Sequence, residues 1–161
     1  MKRSVIAIAA LAVFAPLTAT AQSGFGFRGW GPRLGLTMDP DQIHFGVHAD
    51  FGNLGSGIRF QPNFELGFGD DLTLGALNAE AAYRFNENWE SWSPYLGGGV
   101  GLNIVGSDDD GLLDNSDTDV GASVLGGVER GLSGGDRFFG EVKLGLADSP
   151  DVKFTVGWTF Y

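Results

Sequence analysis

Along most of the chain apolar and polar residues alternate one by one, and clusters of Gly, Asn, Asp and Ser interrupt the alternation. A period of two puts successive side chains on opposite faces of a strand, whereas an amphipathic helix needs apolar residues three and four apart. The pattern predicts an all-β meander of eight strands over 30–38, 42–51, 57–68, 72–85, 94–105, 119–129, 137–147 and 152–161. The second is the cleanest: Ile43, Phe45, Val47, Ala49 and Phe51 share one face, and His44, Gly46, His48 and Asp50 the other. In the third, Ile58, Phe60, Pro62, Phe64, Leu66 and Phe68 oppose Arg59, Gln61, Asn63, Glu65 and Gly67. The seventh opposes Phe138, Val142, Leu144 and Leu146 to Phe139, Glu141 and Lys143. In the fourth, Leu72 and Leu74 fall out of phase with the later residues, which predicts a bulge near Gly75.

A soluble sandwich turns charged residues to water and blunts its edges. Here strands of about ten residues have the length that a tilted strand needs to cross a bilayer's hydrocarbon layer. Their polar faces are small residues with single charges of both signs, which suits a narrow interior better than a wet surface. The expected fold is therefore an eight-stranded, antiparallel, up-and-down transmembrane β-barrel. Pro62 on an apolar face is the one residue that disfavours a regular ladder.

The start of the chain fits that destination. Lys2 and Arg3, the apolar run from Val5 to Leu17 and the small residues Ala19, Thr20 and Ala21 read as a cleaved secretory signal over 1–21. The mature domain is then 22–161. It keeps 8 basic residues against 20 acids, a net charge of −12, which argues against nucleic acid as a partner and against simple adhesion to anionic phosphates. With no Cys there is no disulfide framework, thiolate chemistry or Cys-based metal site.

The aspartates outside the strands fall mostly in alternate connections: Asp39 and Asp41, Asp70 and Asp71, the run from Asp108 to Asp119, and Asp148 and Asp151. In a meander these all emerge at one end. If the C-terminus is periplasmic, this acidic end faces outward from the cell.

Signal, eight amphipathic runs and the aromatic ending FTVGWTFY together resemble the small eight-stranded outer-membrane β-barrels of Gram-negative-type bacteria, similar to outer membrane proteins A, X and W. The resemblance covers the whole mature chain. It implies residence in the outer membrane, contact with its lipid and lipopolysaccharide, delivery by the barrel-assembly machinery through the C-terminal strand, and a monomer. Trp30, Tyr83, Phe85, Trp158 and Phe160 would form the girdle at the periplasmic boundary. Barrels of this family end on an outward aromatic; here the phase turns Trp158 and Phe160 outward and leaves Tyr161 as an overhang.

An eight-stranded barrel is just wide enough for side chains to fill it. Arg33, His44, His48, Arg59, Glu65, Glu80, Arg84, Glu129, Glu141 and Lys143 are expected to form a paired polar network there, a plug more readily than a pore. His44 and His48, roughly 13 Å apart along one strand, are too far apart to share a metal ion; Asp50 and Glu65 are their expected partners. In the loop GSDDDGLLDNSDTDVG, Asp108, Asp110, Asp114 and Asp117 around Gly111 partly match aspartate repeats that bind calcium, the only cofactor suggested. The alternative is a solvated acidic loop that holds divalent ions loosely.

No G-x-S-x-G, phosphate loop or zinc motif occurs, and Ser107, Ser123 and Ser149 are remote from both histidines by strand placement, so an enzyme is not expected. The expected function is non-catalytic, structural or surface-exposed. Two alternatives are a narrow porin-like barrel for small or amphipathic solutes, and a secreted soluble β-domain with a calcium-dependent adhesive loop.

Overall fold

A computed structural model of the chain describes residues 24–39, 41–69, 72–87, 89–107, 117–147 and 149–161. Eight strands follow one another: β1 (Phe25–Met38), β2 (Gln42–Gly55), β3 (Ile58–Phe68), β4 (Leu72–Arg84), β5 (Ser93–Ser107), β6 (Asp117–Gly131), β7 (Arg137–Ala147) and β8 (Val152–Thr159). Each pairs antiparallel with the next, and β8 returns to β1 to close a barrel. Closure leaves no edge strand with unpaired backbone groups, the condition for placing strands in hydrocarbon.

Every strand foreseen from the alternation is present, and the main differences are at the ends. β1 begins at Phe25, which pairs with Gly52 beyond a register shift, and β2 runs on to Gly55, which pairs with Ile58 of β3. There the rings of Phe25 and Phe51 stack at 6.0 Å, with Phe60 at 6.3 Å from Phe25. This aromatic cluster extends a ladder that the Gly-rich sequence FGFRGWG hides.

The bulge expected near Gly75 is absent. β4 keeps unbroken register with β3 from Phe68↔Thr73 to Ile58↔Tyr83, and with β5 from Leu72↔Ser107 to Tyr95↔Arg84. Leu74 keeps the phase of Ala76 and is buried inside; the lumen admits an apolar side chain at this level, so no bulge is needed to turn it out. The β2–β3 register shifts instead between His48 and Asn53, and Pro62 faces that gap. A residue without an N–H is least costly where the ladder is already interrupted.

Burial is inverted relative to a soluble domain. Among the described residues six apolar side chains are buried, against twenty that are polar or charged. Leu34, Leu36, Phe45, Val47, Phe64, Leu96, Val100, Leu144 and Phe154 are exposed around the outside. A continuous apolar belt of this kind is unstable in water and stable against acyl chains.

The interior is filled by alternation of large and small residues at the seam where β8, β1 and β2 meet. Arg33 on β1 lies between Gly46 and Gly157, whereas Gly35 lies between His44 and Thr155. A Cβ at Gly35 would come within 2.7 Å of the His44 ring, and one at Gly157 within 2.5 Å of the Phe139 ring. At Gly31 it would overlap the Trp158 carbonyl. Gly31→Val should therefore cost about 3 kcal/mol or more through forced backbone movement. Gly140→Ala, where a Cβ meets nothing within 4 Å, should stay within about 0.5 kcal/mol of the parent in urea unfolding from detergent micelles.

Candidate functional site

Among the described residues the distinctive chemistry is the charge network packed into the lumen. Inward positions on seven of the eight strands contribute to it, so it could not assemble before the sheet closes. The buried carboxylates are Asp50, Glu65, Glu80, Glu129 and Glu141, and the buried cations are Arg33, Arg59, Arg137, Lys143 and Lys153. Five face five, and the interior is formally neutral, which an isolated buried charge's desolvation penalty of several kcal/mol demands.

Arg33, 2% exposed, is the centre. Its Nε lies 3.0 Å from Glu65, its Nη2 donates to Glu141 at 3.0 Å, and its Nη1 to Glu80 at 3.5 Å. Only a guanidinium offers donors in three directions within one plane. The flat face is covered as well, with the Phe139 ring centre 5.8 Å away. Lys143 bonds Glu80 and lies 3.9 Å from Glu65, while Lys153 bonds Glu65. Lys143 and Lys153 stand directly opposite one another on β7 and β8, an arrangement that repels unless carboxylates from across the barrel meet it, as Glu65 and Glu80 do.

A second group lies nearer the end of the barrel that carries the β2–β3, β4–β5 and β6–β7 connections. Glu129 bonds Arg59, and its carboxylate lies 3.2 Å from the Arg84 guanidinium and 3.6 Å from that of Arg137. Arg137 also pairs with Asp50 at 3.1 Å and donates to Thr159 at 2.9 Å. Tyr95, whose hydroxyl donates to Glu141 at 3.0 Å and whose ring lies 5.3 Å from the Arg59 guanidinium, connects the two groups.

The ten lumen residues foreseen from strand phase occupy inward positions, but Arg84 stands at the rim with its side chain 56% exposed. His44 and His48 do not partner Asp50 or Glu65. Both ring nitrogens of His44 are tied to hydroxyls, Nδ1 to Thr37 at 2.9 Å and Nε2 to Thr155 at 3.0 Å, and His48 Nε2 meets Thr159 at 2.9 Å. These imidazoles span from β2 to β8 beneath Gly35 and Gly31 of β1. Arg137, Lys153 and Tyr95 join the network beyond the residues expected, and Asp50 enters it as a partner of Arg137 and Tyr161 in place of a histidine. What could not be read from phase is which carboxylate each cation reaches across the lumen.

Tyr161 is not an overhang. Its hydroxyl donates to Asp50 Oδ2 at 2.9 Å, while Asp50 Oδ1 accepts from the Gly52 N–H at 2.7 Å. The Arg137 guanidinium lies 5.7 Å from the Tyr161 ring centre. Like the two histidine bonds, this one joins β2 to residues of the final strand or just beyond it, and the last residue thereby fastens the closing strand.

Trp30, Tyr83, Phe85, Trp158 and Phe160 are all exposed at the end of the barrel where β1 begins and β8 ends. Trp30 and Phe160 pair at 6.1 Å and Tyr83 and Phe85 at 5.3 Å, and Trp158 contacts Phe138 at 4.9 Å, which in turn contacts Trp92. Trp92 and Phe138 thus join the belt. Of the calcium candidates, Asp108, Asp110 and Asp114 lie outside the described residues, as does the side chain of Asp117.

No protein-family model and no curated protein matches the sequence. Among solved structures the barrel is similar to the crystal structure of neisserial surface protein A, with a TM-score of 0.66 and 18% identity over 85% of this chain and 96% of that one. It is also similar to the outer membrane protein Ail of Yersinia pestis in a phospholipid bilayer nanodisc, at a TM-score of 0.50 and 11% identity over 82% and 97%. The de novo designed barrel TMB2.3 matches at 0.50 and 15% over 86% and 96%. The chain therefore has the fold of the small eight-stranded outer-membrane β-barrels.

Two outcomes follow from this geometry. Arg33→Met strands Glu65, Glu80 and Glu141 and should cost about 3–5 kcal/mol in urea unfolding. Adding Glu141→Gln, which removes one stranded charge, should make the double variant lose less than the sum of the single variants. At the rim, burial first and then the Asp50 carboxylate push the Tyr161 phenol up to about 12, against the pull of Arg137. Because this lies above the unfolded value of about 10, the stabilisation is present below pH ~10 and lost as pH rises through about 12. Tyr161→Phe should remove that step from the phenolate absorbance titration and cost about 1 kcal/mol at neutral pH.

Proposed function

We propose that the protein is a non-catalytic outer-membrane barrel with a sealed lumen, exported with loss of residues 1–21, that displays its Asp-rich connections outside the cell. The observation that carries this reading is the combination of an apolar exterior with a charge-neutral, side-chain-filled interior. A transport route is disfavoured by the same filling: the lumen cavity lined by Arg59, Gln61, Glu80, Ala82, Leu125 and Glu141 has a volume of about 10 Å³, room for one water molecule. Solute passage would require several buried ion pairs to open together. Catalysis is disfavoured because both imidazoles and the threonine hydroxyls that they bond are buried in the packed wall of the lumen, out of reach of a substrate. This orientation is supported by the start of β1 and the end of β8 lying on the side of the turns between β2 and β3, β4 and β5, and β6 and β7, since short turns are the periplasmic connections of outer-membrane barrels.

Since the chain has no Cys, single cysteines report this orientation without background. In a Gram-negative host, Asp151→Cys should react with a membrane-impermeant maleimide on intact cells, and Ser133→Cys only after lysis. Label at Ser133→Cys on intact cells would reverse the orientation, and recovery of the protein in the culture medium would favour the soluble adhesive reading.

A further inference from the structure

The mouth of the lumen beside the β2–β3, β4–β5 and β6–β7 connections is short of carboxylates. Arg59 near the start of β3, Arg84 at the end of β4 and Arg137 at the start of β7 converge there on one acid, Glu129 of β6. Arg59 bonds Glu129 Oε2, the Arg137 guanidinium lies 3.6 Å from the same oxygen, and Arg84 Nε lies 3.2 Å from Oε1. The other acid of this group is Asp50. Its Oδ2 lies 3.1 Å from Arg137 and accepts from Tyr161, while its Oδ1 accepts from the Gly52 N–H. Around Arg33, three cations meet three carboxylates; at this mouth three guanidiniums share two, a formal surplus of one positive charge. Arg28 adds to the surplus, because its guanidinium lies against Gly52, where a Cβ would overlap it. Glu87, Glu90 and Asp136 lie in the connections and pair with none of these arginines among the described residues. Two donors at the mouth are also unused. Arg59 and Arg137, 9% and 8% exposed, each bury an Nε–H that has no hydrogen-bond partner. Arg84 has its side chain 56% exposed, so the group opens to water on its side.

We propose that this mouth of the lumen binds a small soluble oxyanion of the phosphate class, held by Arg59, Arg84 and Arg137 beside Glu129. Like charges crowded around one carboxylate are stabilised by a further anion, and a buried donor without a partner is costly until it gains an acceptor. The planar fork of a guanidinium matches phosphate oxygens in pairs, and several oxygens on one anion let three forks share it. The rings of Tyr95, 5.3 Å from the Arg59 guanidinium, and Tyr161, 5.7 Å from that of Arg137, pack against two of the forks and hold them in place. The acids that make the chain negative overall stand in the Asp-rich connections a barrel length away, well beyond the screening length of ~8 Å, and so do not oppose an anion here. The site lies outside the packed charge network around Arg33, so it is compatible with a sealed lumen. Its place on the periplasmic side rests on the orientation proposed above; the site itself rests only on the closed barrel.

The test refolds the mature chain into uncharged maltoside micelles at low salt and titrates inorganic phosphate, following urea unfolding and the arginine Nε–H signals by NMR. Phosphate at ten times its dissociation constant should raise the parent's folding equilibrium constant about elevenfold, and the Nε–H signals of Arg59 and Arg137 should move together and saturate. Arg84→Gln, a change at the exposed rim, should weaken binding by about tenfold or more. Glu129→Gln should fold poorly without phosphate and be rescued by it, because the anion takes the place of the missing carboxylate. Glu80→Gln, in the sealed group around Arg33, should show only the small gain that excluded salts give every variant. Phosphatidylglycerol doped into the micelles should leave the Nε–H signals in place, and a response to this lipid equal to that to free phosphate would overturn a site inside the mouth. Equal gains in the parent, Arg84→Gln and Glu80→Gln with unmoved Nε–H signals would overturn the proposal as an ordinary salt effect. A parent without a boiling-dependent mobility shift would instead overturn the closed barrel on which the site depends.

Discussion

A guanidinium buried at the centre of a narrow barrel has to be surrounded by carboxylates, and in this molecule the rest of the architecture serves that requirement. Arg33 reaches Glu65, Glu80 and Glu141 on three different strands. Each carboxylate is then committed to further partners, the lysines on β7 and β8 and the Tyr95 hydroxyl. Buried ion pairs contribute little net stability over well-packed apolar residues, but a broken one is costly. The network therefore acts more as a specification than as a source of energy. In the closed eight-stranded register each of the ten buried charges meets an opposite one.

The filling also explains the glycines. A barrel this narrow cannot hold a large inward side chain at every position of three adjacent strands, so rows alternate: glycines flank Arg33, and glycine separates His44 from Thr155. Because β1 carries glycine where β2 carries histidine, the imidazoles reach the threonines of β8 directly. Tyr161 adds a further bond from the chain's last residue to Asp50. The β1–β8 pairing joins the most distant parts of the sequence and bears the highest loop-closure cost, and this is where cross-strand side-chain bonds accumulate.

Much of this was legible in the sequence because a barrel wall obeys one rule, alternation, that survives without knowledge of neighbours. Strand number, the inward placement of His44, Glu65 and Glu141, and the outward placement of Trp158 and Phe160 all follow from it. The failures have a common cause. The pairing of Arg33 with three remote carboxylates, and of the histidines with threonines, depends on barrel shear and tilt, which place residues from distant strands at one level. Leu74 misled because apolar was taken to mean outward, whereas the lumen near it accepts an aliphatic side chain. Tyr161 escaped because strand phase says nothing about a side chain that folds back past the end of its own strand.

The account's central claim is that the lumen is sealed by side chains, and single-channel recording in planar lipid bilayers tests it most directly. With heat-modifiable wild-type protein incorporated, the account predicts a current that stays at the baseline of the protein-free membrane across the voltage range. Discrete, reproducible opening steps from the wild-type barrel would contradict it, showing that the network around Arg33 yields a continuous aqueous path.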